Sequence, residues 1–192
     1  MPDANHAALE FLLTRRSRPA KTLTTPVPSR AELEPILTAA ARTPDHGKLE
    51  PWRFIVLEKP ALERLTTLTR NRCVALDHAD DAVEKNCLQF SDANLVVAVV
   101  ASPVDSPKVP EIEQILSAGA VCLSLLNASL ASGWGANWLS GPMTTDRDFL
   151  RDGLSLADHE FVAGFMHIGT ERITPPERPR PDLSVKVSWV DA

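Results

Sequence analysis

The stretch AARTPDHGKLEPWRFIVL, from Ala40 to Leu57, joins the end of an amphipathic helix pattern to an apolar strand pattern through a turn. Its turn contains two prolines and a glycine and carries Arg42, His46 and Lys48. Polar and cationic side chains on a loop between rigid elements are typical of a ligand site. Taken alone, the same stretch also fits a surface loop with ordinary charges. Other parts of the chain are needed to distinguish a ligand site from such a loop.

Outward from this stretch, apolar periodicity predicts an alternation of helices and strands. Ser29 and Glu32 fit a capping box, and Pro35 predicts a kink or a later start in the helix that follows. We expect helices over 4–15, 29–41, 60–68, 115–131 and 145–154, and buried strands over 52–57 and 94–101. We also expect an extended connection over 18–28, a solvated helix or mobile cover over 71–91, a short strand after 133, a strand over 160–169 and an edge strand over 185–190. This order predicts an α+β or α/β sandwich with helices covering a mixed sheet.

Composition limits the class of protein. The 192 residues are 44% hydrophobic and 23% charged, which suits one soluble domain over 1–192, with an extended proline-rich arm from about 172. A net charge of -5 argues against binding to nucleic acids or anionic membranes. Three cysteines without a CxxC pair, and no signal-peptide pattern, favour the cytoplasm.

The segment 114–145 contains no charged residue, and its part over 115–131 is apolar or small on every side. A membrane span is one interpretation, but polar residues dilute the segment and basic anchors are missing from its flanks. We therefore expect a fully buried helix. A small chain needs a second source of cover for such a helix, which predicts a symmetric dimer.

Candidate chemistry concentrates in cationic residues. The five histidines lack metal-ligand spacing and no G-x-S-x-G turn occurs, so neither a metal site nor a hydrolytic triad is expected. Arg15, Arg16 and Ser17 end the first helix, where the arginines could also simply complement the helix dipole. Clustered guanidiniums beside a hydroxyl suit a phosphate monoester.

Several motifs together resemble the FMN-dependent nitroreductase family, in particular its small YdjA-like branch. They are LLTRRSRP from Leu12, LEPILTAAARTPDHGKLEPWRF from Leu33, SAGA from Ser117, GWGANWLSG from Gly133 and GFMHIGT from Gly164. The match spans roughly 8–170. Each motif is short, but their order and spacing are specific as a set.

The resemblance implies a homodimer with one FMN in each of two interfacial sites. Arg15, Arg16 and Ser17 would bind the phosphate and ribityl end. Arg42 and His46 would approach from the partner subunit, and Trp138, Leu139 and Ser140 would line the isoalloxazine. Relatives often carry arginine at the position of Leu139, so a charge near the reduced flavin is missing here. Relatives outside the branch also use a C-terminal basic residue on the phosphate, for which the candidates are Arg172, Arg178 and Arg180.

The implied activity is hydride transfer from NAD(P)H through FMN to an electron-poor acceptor such as a nitroaromatic or a quinone. The flavin carries the chemistry, so no catalytic protein residue is expected. A reductive dehalogenase of the same fold is one alternative, although the tyrosine of its substrate clamp has no counterpart in a chain without tyrosine. An FMN-binding carrier or sensor without useful turnover is the other.

Overall fold

Residues 3–191 are described by the structure, which is a computed structural model. The helices and strands follow the predicted order through residue 169, except that the segment over 18–28, expected to be an extended connection, contains the short strand Leu23–Thr24. The helices are α1 (His6–Thr14), α2 (Arg30–Ala40), α3 (Lys59–Ala75), α4 (Asp80–Ser91), α5 (Glu111–Ala131) and α6 (Arg147–Leu154). The strands are β1 (Leu23–Thr24), β2 (Trp52–Glu58), β3 (Leu95–Ala101), β4 (Gly135–Leu139) and β5 (Phe161–Glu171).

The sheet has the order β1-β5-β3-β2, and β4 pairs with β5 as well. The α+β class is confirmed, but the predicted mixed sheet is wrong, because every strand pairing in residues 3–191 is antiparallel. Two helices, α3 and α4, connect β2 to β3. The second helix reverses the direction of the chain once more, so β3 runs antiparallel to β2. The single helix α5 makes β3 and β4 run in the same direction, but β5 lies between them.

The central strand β3 divides the core into two layers. All seven of its residues are buried, as the continuous β-branched run predicts. Because side chains alternate along a strand, Val96, Ala98 and Val100 face the layer of α3, α4 and α6. Leu95, Val97 and Val99 face the layer of α2 and α5.

Helix α2 begins at its predicted cap. The Ser29 side chain accepts from the Glu32 amide, and the Glu32 carboxylate accepts from the Ser29 amide, so the capping box is confirmed. The later start expected from Pro35 is wrong: the helix begins at Arg30 and includes Pro35. This proline lies on the exposed face of the helix, where a missing backbone donor does not face the core.

Two predictions about the edges of the sheet are wrong. Strand β2 was expected to be buried, but it is an outer strand and only Leu57 is buried in it. The expected edge strand over 185–190 is instead a 3₁₀ turn, Leu183–Val185, followed by irregular chain. Its apolar residues are exposed and have no neighbouring strand within residues 3–191, so the strand pattern there lacks a pairing partner.

Helix α5 buries only one of its faces in this chain, so its full burial stays a prediction that depends on the expected dimer. Ile112, Leu116 and Leu123 remain exposed, Leu116 to 66%. Within the described part of the chain, α5 is the one helix that is long and apolar enough to cross a membrane. Its other face packs on β3, β4 and β5, as in the core helix of a soluble protein.

Candidate functional site

The end of α1 carries two arginines that have no carboxylate partner. Neither Arg15 nor Arg16 forms an ion pair within residues 3–191, and the Nε atom of each is buried without a hydrogen-bond partner there. A terminal nitrogen of Arg15 donates to the Ser17 hydroxyl at 2.9 Å. The sequence predicts that these three residues form a phosphate site, and in the fold their donors remain available.

Besides Arg16, the guanidiniums of Arg18 and Arg180 lie close to Arg15. Burial lowers the pKa of Arg15. The neighbouring charges of Arg180, Arg16 and Arg18 lower it further. We call these four residues the arginine cluster. Of the three C-terminal candidates, Arg180 is therefore the one that lies near Arg15, whereas Arg172 and Arg178 are not among the charges that act on it.

Backbone and ion-pair contacts fix the cluster against the sheet. The Arg18 amide donates to the Ala136 carbonyl at 2.8 Å, and Asn137 Nδ2 donates to the Arg18 carbonyl at 2.6 Å. Arg18 Nε also contacts Glu171 Oε2 at 2.7 Å. These contacts hold the segment after α1 beside β4 and β5, so the free donors of Arg15 and Arg16 lie on a rigid support.

A cavity of about 380 Å³ opens beside the end of β4. We call it the β4 cavity. Its wall combines apolar atoms with a few polar groups, the usual composition of a small-molecule site. The lining residues are Ala20, Lys21, Lys85, Asn86, Leu88, Gln89, Asp92, Ala93, Leu139, Ser140 and His167. Leu139 and Ser140 are thus brought together with residues of α4 and β5.

Trp138 stands next to this cavity without lining it. Its Nε1 donates to the Ala163 carbonyl at 3.3 Å, and the indole is partly exposed. A Cβ at Gly164 would overlap the indole, so glycine is needed there for the ring to lie across β5. The tryptophan thereby covers the strand that also carries His167.

Sequence reasoning named Ser140 but missed the other polar groups of the β4 cavity. Asn86 and Gln89 lie on α4, which was interpreted as a solvated helix or mobile cover, and Lys21 lies in the segment taken as a connection. His167 lies inside a strand in which its neighbours on both sides are buried. A polar residue at a buried strand position is the one signal that could have identified this histidine.

Arg42 and His46 belong to a different surface. His46 Nδ1 lies 2.6 Å from Glu113 Oε2 on α5, beside a shallow cavity of about 550 Å³. The Ser117 hydroxyl donates to the Pro44 carbonyl and fixes this loop on α5. Arg42 is exposed, and its side chain has no hydrogen bond within the described residues. In one chain, therefore, neither Arg42 nor His46 lines the β4 cavity.

Elsewhere in the fold, arginine and carboxylate side chains pair with each other. The pKa of Glu160 is lowered to about 2 because its carboxylate accepts two hydrogen bonds from Arg53. Asp146 accepts a forked pair from Arg72. No group of three or more metal-ligating side chains occurs in the described part of the chain.

Comparison with known proteins identifies the family. The model of the nitroreductase family matches residues 12–170. The Escherichia coli (strain K12) protein named "Putative NAD(P)H nitroreductase YdjA" is 34% identical over 166 residues, which cover 86% of this chain and 89% of the relative. The resemblance inferred from the motifs is thereby confirmed.

Solved structures show the same fold. A nitroreductase-like family protein from Bacillus cereus aligns over the whole of both chains with a TM-score of 0.81 and 19% identity. A Bacteroides fragilis nitroreductase with bound FMN aligns with a TM-score of 0.73 and 19% identity, covering 98% of this chain and all of the other. The chain belongs to the nitroreductase family.

Proposed function

We propose that this protein is an FMN-dependent oxidoreductase that transfers hydride from NAD(P)H to an electron-poor acceptor such as a nitroaromatic or a quinone. The observation that carries the proposal is the pair of arginines, Arg15 and Arg16, whose buried donors have no partner in residues 3–191. Buried donors are nearly always satisfied in proteins, so unsatisfied ones on a rigid support favour a bound anion.

The arginine cluster suits the phosphate of FMN. Arginine offers forked donors that match phosphate oxygens, and several like charges in one place are stabilised by a dianion. Arg15, Arg16 and Ser17 would bind it, and Arg180 would add a charge from the C-terminal arm. The family relationship supports the same assignment, since the Bacteroides fragilis structure contains FMN.

The β4 cavity suits part of the flavin ring system. Leu139 and Ser140 supply its wall, and Asn86 and Gln89 supply uncharged hydrogen-bonding groups. Leu139 brings no charge, but Lys21 and Lys85 line the same cavity and form no ion pair within the described residues. These lysines would supply the positive charge that an arginine at the position of Leu139 is expected to supply in relatives.

The protein residues bind and orient the reactants and exclude water. When bound, FMN supplies a reversible two-electron acceptor for hydride. Leu139 adds apolar surface to the wall of the β4 cavity, and Lys21 and Lys85, which also line it, would stabilise negative charge that develops inside it. No side chain has to act as a nucleophile.

We also propose that the active form is a homodimer with FMN between the two subunits. The exposed apolar face of α5, with Leu116 and Leu123, needs cover. Helix α1 has no buried residue at all, and its Leu9, Leu12 and Leu13 are exposed. Arg42 and His46 would then reach the cofactor of the partner subunit, since they do not line the β4 cavity of their own chain.

The C-terminal arm fits the same dimer proposal. Leu183, Val185, Val187 and Trp189 are exposed and alternate with polar residues, the pattern of a strand with one buried face. The outer edge of β2 has no partner in residues 3–191. A second copy would offer this segment a partner.

Native mass spectrometry tests the dimer. It is expected to give two chains with two FMN molecules, and a single chain would contradict the dimer.

The three cysteines, Cys73, Cys87 and Cys122, are free thiols in the structure, which fits the reducing cytoplasm that we propose as its compartment. Fractionation of cells is expected to recover the protein with soluble cytoplasmic enzymes.

Anaerobic mixing of the FMN-loaded protein with NADH or NADPH tests the function. We expect the visible flavin absorbance to be lost and then restored by nitrofurazone or menadione. A protein that binds FMN but is bleached by neither nicotinamide would instead be a carrier or sensor. A protein that does not bind FMN would contradict the proposal entirely.

A further inference from the structure

His167 is a buried histidine without a hydrogen-bond partner. It lies on β5 between Val96 of β3 and Asn137 of β4, and 3% of it is exposed. Its Nε2 has no hydrogen-bond partner within residues 3–191. An imidazole in such a place is normally bonded to a neighbouring group, to water or to a ligand.

The ring of His167 lines the β4 cavity. Its position on β5 is on the same side as Phe165, which packs in the layer of α3, α4 and α6. The cavity also receives Gln89 from α4, whose buried Nε2 likewise has no partner in the described part of the chain. Two unsatisfied polar groups from different elements therefore converge on one space.

The histidine carries no charge at neutral pH. Burial lowers its pKa to about 4, since no charged partner compensates for the loss of water. A neutral imidazole can donate or accept one hydrogen bond at the free nitrogen, according to its tautomer. It is therefore suited to an uncharged polar edge of a ligand and not to a phosphate.

We propose that His167 is a positioning residue that hydrogen-bonds the polar edge of the flavin ring system in the β4 cavity. This inference rests on the proposed function. It separates two tasks in one binding site: the arginine cluster binds the anionic end of the cofactor, and His167 orients the uncharged ring.

Flavin titrations test this separation. His167→Phe keeps a flat ring but removes both nitrogens, and is expected to weaken FMN and riboflavin alike by roughly tenfold. His167→Gln keeps a hydrogen-bonding group and should stay within roughly threefold of the wild type. His78→Phe is the matched control, because His78 also has a buried nitrogen without a partner in residues 3–191 but does not line the β4 cavity.

Each outcome decides the proposal. Unchanged binding of both flavins by His167→Phe overturns it, as does a loss confined to FMN, which would place His167 at the phosphate. A wild type that binds neither flavin overturns the proposed function together with this inference. A wild type that binds both, alongside an unaffected His167→Phe, overturns this inference alone.

A spectroscopic measurement covers a variant that fails to fold. In wild-type protein labelled with ¹⁵N-histidine, the ring nitrogens of His167 are assigned by their absence in His167→Gln. We expect neutral-ring chemical shifts at pH 7 that move when riboflavin is added, an effect that a merely structural role would not produce. Unmoved shifts in the riboflavin complex would overturn the proposal.

Discussion

Two sets of arginines in this molecule are treated in opposite ways by the fold. Arg72 is fixed by a forked pair of hydrogen bonds to Asp146, at 2.9 and 3.0 Å, and by Asp148 at 2.6 Å. Arg15 and Arg16 are also partly buried, but no carboxylate pairs with them within residues 3–191. The same type of side chain is therefore paired within the fold in one place and left without a carboxylate partner in the described residues in another.

The difference follows from where each arginine gains its hydrogen bonds. Removing a guanidinium that is paired within the fold leaves its buried partner carboxylate uncompensated and lowers folding stability. Arg15 and Arg16 are unpaired within residues 3–191, and their mutual repulsion lowers the stability of the free protein, which a bound anion would reverse. The two sets should consequently respond to mutation in different measurements.

The largest effect is expected from the double variant Arg15→Ala/Arg16→Ala. Each arginine would contribute about 2 kcal/mol through charge-assisted hydrogen bonds, so the Kd for FMN should rise roughly 1,000-fold. The melting temperature without FMN should not fall, because no internal ion pair is lost. Fluorescence titration measures the affinity, with Arg178→Ala as the control. Retained FMN affinity in the double variant would remove both residues from the phosphate.

Arg72→Ala should show the reverse pattern. Removing the guanidinium leaves the largely buried Asp146 carboxylate without its partner and should lower the free energy of unfolding by about 2–3 kcal/mol. Urea denaturation measures this loss. The FMN Kd, measured without denaturant, should stay unchanged. A loss of FMN affinity as large as that of the double variant would contradict the distinction between the two sets of arginines.

Arg53 and Glu160 extend the comparison to pH. The pKa of Glu160 is lowered from 4.5 to about 2, so its stabilising effect is present above the unfolded pKa and lost as pH falls toward 2. Between pH 5 and pH 2.5, wild-type stability should fall by about 1–2 kcal/mol more than that of Glu160→Gln. Chemical denaturation at each pH measures the difference. Parallel pH profiles of the two proteins would show that this pair does not act as described.

The smallest effect is expected at an exposed pair. Arg30 contacts Glu58 at 3.1 Å, but 87% of the Arg30 side chain is exposed. Water screens this pair, so Arg30→Ala should leave the melting temperature within about 1 °C of the wild type. A larger drop, measured by calorimetry, would mean that pairing alone, without burial, decides how an arginine contributes.

Local patterns predicted much of the fold. The apolar run of β3 and the capping box of α2 are encoded by neighbouring residues, and both are confirmed. The exposure of β2 and the antiparallel pairing depend on the order of strands in the sheet, which periodicity does not contain. The strand pattern after Val185 is present in the sequence, but a strand also needs a neighbour with free backbone groups.

The candidate site divides in the same way. Arg15, Arg16 and Ser17 are adjacent in sequence, so their clustering could be predicted. The β4 cavity joins Gln89 and His167 to Leu139 from three separate elements. A histidine inside an apolar strand and a glutamine on a charged helix look like ordinary core and surface residues until the fold brings them together.

Calorimetric titrations of the wild type and of Arg15→Ala with FMN and with riboflavin, which lacks only the phosphate, show directly whether the unpaired arginines bind the phosphate. We expect the wild type to bind FMN at least roughly 100-fold more tightly than riboflavin. We expect Arg15→Ala to lose most of this preference. Equal affinities of the wild type for the two flavins would contradict the claim that these unpaired arginines bind a phosphate.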